Sequence, residues 1–143
     1  MNKYYQLKIS LKGSKPLIYR NVLVNPELKL PELHDIIQTV MGWSNSHLHE
    51  FVINNKSYGK PDPDDDYEVI NYKNIKIKDV LSKIKDKIKY EYDFGDYWVH
   101  SISLEKIVES EEKFNVKCIG GKNSCPPEDC GGIHGYYRLL DTI

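Results

Sequence analysis

Apolar and polar residues alternate near the start of the chain, a pattern typical of a half-buried β-strand. In Tyr4–Leu11, the residues at positions 5, 7, 9 and 11 are apolar and share one side. The stretch Gly13-Ser-Lys-Pro16 interrupts the alternation, and Leu17–Val24 reads as a second strand. Because turn residues separate the two segments, they predict a β-hairpin.

A helical period follows the hairpin. Pro31 suits the first turn of a helix, and Gly42 suits the cap that ends one. Between them, apolar residues recur at the i, i+3, i+4, i+7 spacing of an amphipathic helix. These residues are Leu33, Ile36, Ile37, Val40 and Met41. The pattern predicts a long helix after the first hairpin.

The remaining elements complete a prediction of the fold class. Several antiparallel strands and two helices favour a single α+β domain over residues 1–143, with a mainly antiparallel sheet, rather than regular βαβ units. The further predicted elements are a strand over Ser46–Ile53, an acidic Pro-rich loop over Gly59–Asp66, a short strand or turn and a short helix within Ile75–Ile84, an edge strand over Phe114–Cys118 and a C-terminal helix over Ile133–Ile143.

The stretch YDFGDYWVH predicts a second hairpin, with Tyr90–Phe94 and Tyr97–Val108 as its arms. With Gly95-Asp96 as a two-residue loop, Gly supplies the positive φ such a turn needs. This register places Asp93 opposite Trp98, and alternation puts Tyr90, Tyr92, Phe94, Tyr97 and Val99 on the apolar face. Glu91, Asp93 and His100 then share the other face. A three-residue loop would shift the register by one and reverse some of these assignments.

Composition narrows the class of protein. A chain of 143 residues fits one domain, and no apolar run approaches the ~18 residues of a membrane span, so a cytoplasmic location is predicted. The net charge is −1, but the charged residues are clustered along the chain, with about +5 over residues 71–90 and about −6 over residues 91–112. Only Arg20 and Arg138 are arginine, whereas readers of DNA bases lean on arginine forks. A protein partner is therefore favoured over nucleic acid.

Five motifs in this order resemble the plasmid pRiA4b ORF-3-like family. They are SKPLIYR, LHDIIQTVMGWSNSHLHEF, YGKPDPDDD, YEYDFGDYWVHSISLE and CIGGKNSCPPEDCGGIHGYYRLL. The resemblance implies an α+β roll-like fold, an association with plasmids and mobile elements, and no established activity. Some members are labelled resolvase-like, but two arginines do not make a resolvase site. The resemblance also implies that members usually continue into an acidic and aromatic C-terminal segment, which we expect to be missing or shortened in this sequence.

Histidines and carboxylates supply one candidate site. His47 and His49 share a face of a predicted strand, and with His100 they suit zinc, manganese or iron. Carboxylates of the second hairpin complete this hypothesis of a metal-dependent hydrolase or nuclease, whose catalytic candidates are Glu91, Asp93, Asp96 and His100. The alternative is a half-buried strand whose imidazoles simply form hydrogen bonds.

Cysteines supply a second candidate. Cys118, Cys125 and Cys130, with His134, are thiolate and imidazole ligands suited to a structural zinc, although their spacing lacks the double CxxC signature. Small buried thiols packing a Gly/Pro-rich loop are the alternative.

No complete catalytic constellation follows from the sequence, and the acidic loop at residues 62–66 is more typical of a solvated loop than of a cation site. The leading hypothesis is therefore a non-catalytic binding or regulatory module. Such a module predicts an exposed aromatic or apolar patch, with Trp43, Tyr97 and Trp98 as its candidates. The hydrolase and the zinc-stabilised domain are the alternatives.

Overall fold

The computed structural model describes residues 1–45, 47–64, 68–123 and 125, which form one eight-stranded sheet. In chain order its strands are β1 (Asn2–Leu11), β2 (Ile18–Val24), β3 (His49–Ile53), β4 (Lys56–Gly59), β5 (Ile70–Asn71), β6 (Lys87–Tyr92), β7 (Trp98–Ser110) and β8 (Val116–Lys122). Across the sheet the order is β5-β4-β3-β6-β7-β1-β2-β8. Neighbouring strands are antiparallel, except that β4 and β5 are parallel.

Two helices accompany the sheet in the described residues: α1 (Leu30–Met41) and α2 (Ile77–Val80). The helix predicted after the hairpin is confirmed, and Gly42 ends it with a left-handed φ of 76° that glycine adopts without a Cβ clash. The buried side of α1 joins the inner face of the sheet in one apolar core. Each fully buried aliphatic side chain there contributes roughly 1.5–3 kcal/mol. Neither helix is long and apolar enough to cross a membrane.

The predicted fold class is wrong. The sequence predicted an α+β domain with a long helix, but α1 has 12 residues and α2 has four, beside an eight-stranded mixed sheet. Pro31 and Gly42 confine the apolar stripe to about three helical turns, and most of the other apolar residues belong to strands. The predicted C-terminal helix over Ile133–Ile143 lies outside the described residues.

Two short strands also escaped prediction. β4 and β5 have four and two residues, too few for alternation to stand out. They pair in parallel, with Tyr58 opposite Ile70 and Gly59 opposite Asn71. This pair makes the sheet mixed. The first hairpin is confirmed, with β1 and β2 paired from Tyr5–Val24 to Leu11–Ile18.

The second hairpin forms, but its predicted register is wrong by one residue. Trp98 pairs with Tyr92 rather than with Asp93, and residues 93–97 form a five-residue loop. The loop takes its positive φ values at Asp93 (61°) and Tyr97 (60°), not at Gly95. The Asp93 side chain makes this possible by accepting the backbone N–H groups of residues 95 and 96. As a result Trp98 and His100 face the core, and Val99 faces outward.

The junction of β2 and β8 depends on the absence of a side chain at Gly121. A Cβ atom there would lie 2.6 Å from the Tyr19 carbonyl oxygen, whereas one at Gly120 meets nothing closer than 4.0 Å. We expect Gly121→Ala to lower the free energy of unfolding by roughly 1–3 kcal/mol, since backbone must shift. Gly120→Ala is the matched control and should cost much less. Urea denaturation of both variants measures the difference, and equal losses would contradict the expectation.

Candidate functional site

A closed ring of hydrogen bonds lies beneath the centre of the sheet. Gln38 Nε2 donates to the Tyr90 hydroxyl (3.0 Å), which lies 2.5 Å from His34 Nδ1. His34 Nε2 lies 2.7 Å from Asn45 Oδ1, and the Asn45 backbone N–H donates to Gln38 Oε1 (2.9 Å). The ring joins α1, the segment after it and the strand β6. It satisfies polar groups that would otherwise be costly to bury.

The ring fixes the protonation of His34. The oxygen of Asn45 can only accept, so His34 Nε2 carries the proton and Nδ1 accepts from the Tyr90 hydroxyl. A second proton on His34 would leave the Tyr90 hydroxyl with two donors and no acceptor for its own hydrogen. Burial lowers the pKa of His34, although its bond to Asn45 acts in the opposite direction. Neutral imidazole is therefore the form that the core accepts.

His49 stacks on His34, with ring centroids 3.4 Å apart and planes within 8°. Its Nε2 lies 2.7 Å from the Tyr72 hydroxyl. Burial, followed by the proximity of His34, lowers the pKa of His49 to about 3. The two imidazoles therefore pack as neutral aromatic rings, and each forms a hydrogen bond at its polar edge.

His100 lies in the core on the same side of the sheet. Its side chain is fully buried, contacts Trp43 edge-on and has Nδ1 3.2 Å from the Tyr90 carbonyl oxygen. Nε2 has no hydrogen-bond partner among the described residues. Burial lowers the pKa of His100 to about 4, against the opposing effect of backbone carbonyls.

The opposite, outer face of the sheet carries carboxylates at one end. Glu50 on β3 and Glu91 on β6 are directly opposite each other and only 7% and 9% exposed. The Tyr97 hydroxyl donates to Glu91 Oε1 at 2.8 Å. Like charges in a directly opposed pair repel, so the two carboxylates depend on neighbouring hydrogen-bond donors, of which the Tyr97 hydroxyl is one.

Asp93 and His47 border this pair. His47 Nε2 lies 3.5 Å from Asp93 Oδ2, and the Asp93 backbone N–H donates to the Leu48 carbonyl at 2.8 Å. Asp93 is 7% exposed, and it also organises the loop that contains Asp96. This organising contact gives Asp93 a structural role.

The structure divides the histidine and carboxylate candidates. Tyr90 pairs with His100 and Glu91 with Val99, so alternation places His100 and Glu91 on opposite faces. Among the described residues, no three His, Cys, Asp or Glu side chains form a group that could hold a metal ion. His47, His49 and His100 are therefore not brought together, since His49 stacks on His34 and His47 neighbours Asp93. A catalytic role for Glu91, Asp93, Asp96 and His100 stays a prediction.

The cysteine set is described only in part. Cys118 is exposed on β8, whereas Cys125 is partly buried, with Sγ 3.1 Å from Arg20 Nη2 and 3.4 Å from Met41 Sδ. Burial raises the pKa of Cys125, although Arg20 acts in the opposite direction. Cys130 and His134 lie outside the described residues, so the zinc site stays a prediction.

A groove of about 830 Å³ lies away from all these groups, at the end of the sheet where β1 starts and β8 begins. Tyr4 and Phe114 stack in it with ring centroids 4.0 Å apart. None of the residues predicted from the sequence as site residues lines it.

Comparison with known proteins identifies the family to which this arrangement belongs. The sequence profile of the plasmid pRiA4b ORF-3-like protein family matches residues 3–143. An uncharacterised protein of Sinorhizobium fredii, y4hQ, is 34% identical over 142 residues, which span 96% of this chain and 72% of the relative. The crystal structure of a protein of unknown function from Methanosarcina mazei, MM3350, matches with a TM-score of 0.89 and 35% identity over 99% of this chain and 82% of that one. The chain belongs to the plasmid pRiA4b ORF-3-like family, and the predicted resemblance is confirmed.

Sequence reasoning missed Glu50 and His34. His34 sits on the buried side of α1 at an apolar spacing, with Gln38 one turn later, and this polar pair within a helix stripe was an available signal. Glu50 follows His49 in a strand that buries Phe51 and Ile53, so alternation already placed it on the other face.

The buried histidines predict a dependence of stability on pH. The pKa of His49 is about 3 and that of His100 about 4 in the folded protein, against about 6.5 when unfolded. Between these values the unfolded chain binds protons that the folded chain does not. Stability should therefore fall as the pH drops below about 6.5, by up to ~1.4 kcal/mol per pH unit for each histidine, and be unaffected by them above it.

His49→Gln isolates one of these contributions. The variant should be less stable at neutral pH because the stack on His34 changes, yet its stability should fall less steeply than that of the wild type between about pH 6.5 and pH 4. Denaturant titrations at several pH values measure both slopes. Parallel pH profiles would show that His49 takes up no proton on unfolding in this range.

Proposed function

We propose that this protein is a non-catalytic binding module whose partner is a protein segment that is both basic and apolar. The observation that supports this function is an exposed patch of three large side chains, Leu48 (73% exposed), Phe94 (46%) and Tyr97 (52%), hereafter the apolar patch. Clustered exposed apolar side chains mark interaction sites more often than scattered ones do. Of the sequence-predicted candidates, Tyr97 is exposed, whereas Trp43 and Trp98 are buried.

Backbone contacts hold the apolar patch together. The Asp93 N–H donates to the Leu48 carbonyl, and the Tyr97 N–H donates to the Asp93 carbonyl, so the two segments meet at Asp93. The bond from the Tyr97 hydroxyl to Glu91 orients the exposed ring. A preorganised aromatic surface loses little side-chain entropy when a partner docks.

The surrounding charge defines the partner. The carboxylates of Glu50 and Glu91 oppose each other on neighbouring strands, and Glu91 accepts the hydroxyl of Tyr97 from the patch. A Lys or Arg beside an apolar residue in the partner would place its cation at the rim of these nearly buried carboxylates and its apolar side chain on the patch. Aromatic residues with such a charged neighbour are common centres of binding energy in interfaces.

Catalysis has less support. His100 is buried on the face opposite Glu91, and no three potential metal ligands converge within the described residues. An accessory role in plasmid or mobile-element biology and a cytoplasmic location belong to the same proposal, and the family's name supports the first of these.

The test compares peptide binding by two matched variants. A displayed library of short random peptides is selected on the wild type, and selected peptides are then synthesised and titrated calorimetrically. We expect peptides that combine apolar residues with Lys or Arg, and at least a tenfold weaker affinity for the Leu48→Ser/Phe94→Ser variant, equivalent to about 1.4 kcal/mol.

Val116→Ser/Ile119→Ser is the control, because it removes two apolar side chains of similar exposure (43% and 46%) from β8. It should bind the peptides as the wild type does. Selection of acidic peptides, or equal affinity for all three proteins, would refute the proposed site.

A further inference from the structure

The outer face of the sheet carries a second feature, which differs from the apolar patch in its charge and in its chemical character. Lysines stand out from three of its strands and from the turns that border them. Five of them line two adjoining depressions of about 450 and 250 Å³, which share Lys87 and Ser101. These lysines, hereafter the lysine face, are Lys8, Lys12, Lys85, Lys87 and Lys89.

The strand register shows how the lysine face is built. Lys8, Ser103 and Lys87 lie directly across β1, β7 and β6 from one another. The next row places Ser10, Ser101 and Lys89 side by side on the same strands. Because outward residues are two apart along each strand, the two rows form one surface of alternating ammonium and hydroxyl groups.

The charges of this surface are not neutralised within the described residues. None of the five lysines forms an ion pair there, and Lys8 instead lies 4.7 Å from the centre of the Tyr19 ring. The one carboxylate lining the depressions, Glu105, accepts a hydrogen bond from the Ser103 hydroxyl. By contrast, Lys76 and Lys78 elsewhere are paired with Glu27.

We infer that the lysine face binds the sugar–phosphate backbone of a nucleic acid, without reading its sequence. Ammonium groups and serine hydroxyls are donors that contact phosphate oxygens, and on this surface the five lysines are joined by the hydroxyls of Ser10 and Ser101. Two parallel rows of donors suit an extended polymer, and the next row toward the hairpin loop carries Glu50 and Glu91, which repel phosphate and limit the site to the lysine rows. The shortage of arginine argues against base recognition, but contact with the backbone does not require it.

An acidic protein segment fits this surface less well. Such partners draw much of their affinity from apolar anchors, whereas serine hydroxyls separate the lysines across the centre of the surface and Val52 lies at its margin. Phosphates need only the donors that are present. The site shares no residue with the apolar patch, so it stands or falls independently of the proposed protein partner.

The salt dependence of binding tests the inference. Anisotropy of a labelled single-stranded oligonucleotide of mixed sequence would be measured between about 50 and 200 mM salt. If all five lysines meet phosphates, the dissociation constant should rise about 100-fold over this range. For the Lys87→Gln/Lys89→Gln variant the rise should be only about 20-fold, because two contacts are lost.

Lys73→Gln/Lys113→Gln is the matched control, since it removes the same charge from exposed positions outside the lysine face. It should retain the steep salt dependence of the wild type. RNA and duplex DNA of equal length would distinguish the kinds of nucleic acid bound. Three results would overturn the inference: no binding at low salt, an unchanged salt dependence in the Lys87/Lys89 variant, or equal competition by poly-glutamate, which would indicate an acidic protein.

Discussion

The hydroxyl of Tyr90 is the contact on which the rest of the structure depends. It receives a hydrogen bond from Gln38 and meets His34, and these two residues lie one turn apart on the buried side of α1. The helix is therefore held to a central strand by specific polar contacts as well as by apolar packing. A hydrogen-bond network of this kind tolerates substitution poorly, because loss of any member leaves buried polar groups without a hydrogen-bond partner. The network also excludes charge at His34, which is buried as a neutral imidazole with the half-buried His49 stacked on it.

Fixing Tyr90 toward the core also determines the chemistry of the outer face. Its neighbours along β6, Lys89 and Glu91, must point the other way, since side chains alternate along a strand. Register then extends each outward position across the sheet: Lys89 lies beside Ser101, and Glu91 lies beside Glu50. One face thus acquires lysine and serine rows across β1, β7 and β6 and a carboxylate row at the hairpin end. Strand pairing therefore separates the positively charged rows from the carboxylate row along the strands.

The same alternation separates structural groups from surface groups. Histidine and aromatic residues that suggested a metal or catalytic centre occupy the core face, where His49 stacks on His34 and His100 packs against Trp43. Of the carboxylates predicted to accompany them, Glu91 lies on the other face of the sheet and Asp93 organises the hairpin loop. What remains accessible is suited to binding: an apolar patch beside carboxylates, and a lysine face whose lysines form no ion pair with the part of the chain that the structure describes. Both surfaces belong to a fold shared closely with a protein of unknown function from Methanosarcina mazei.

The sequence by itself determined the local elements and the family. Alternation located β1 and β2, the helical period and Gly42 defined α1 and its end, and ordered motifs identified the plasmid pRiA4b ORF-3-like family, because these signals lie within short segments. Tertiary structure alone decided the fold class, the register of the second hairpin and the composition of each face. The register depended on the Asp93 side chain replacing Gly95 as the organiser of the loop. The cross-strand neighbours Glu50 and Glu91, and likewise Lys8 and Ser103, are far apart in the chain, and only strand pairing brings them together.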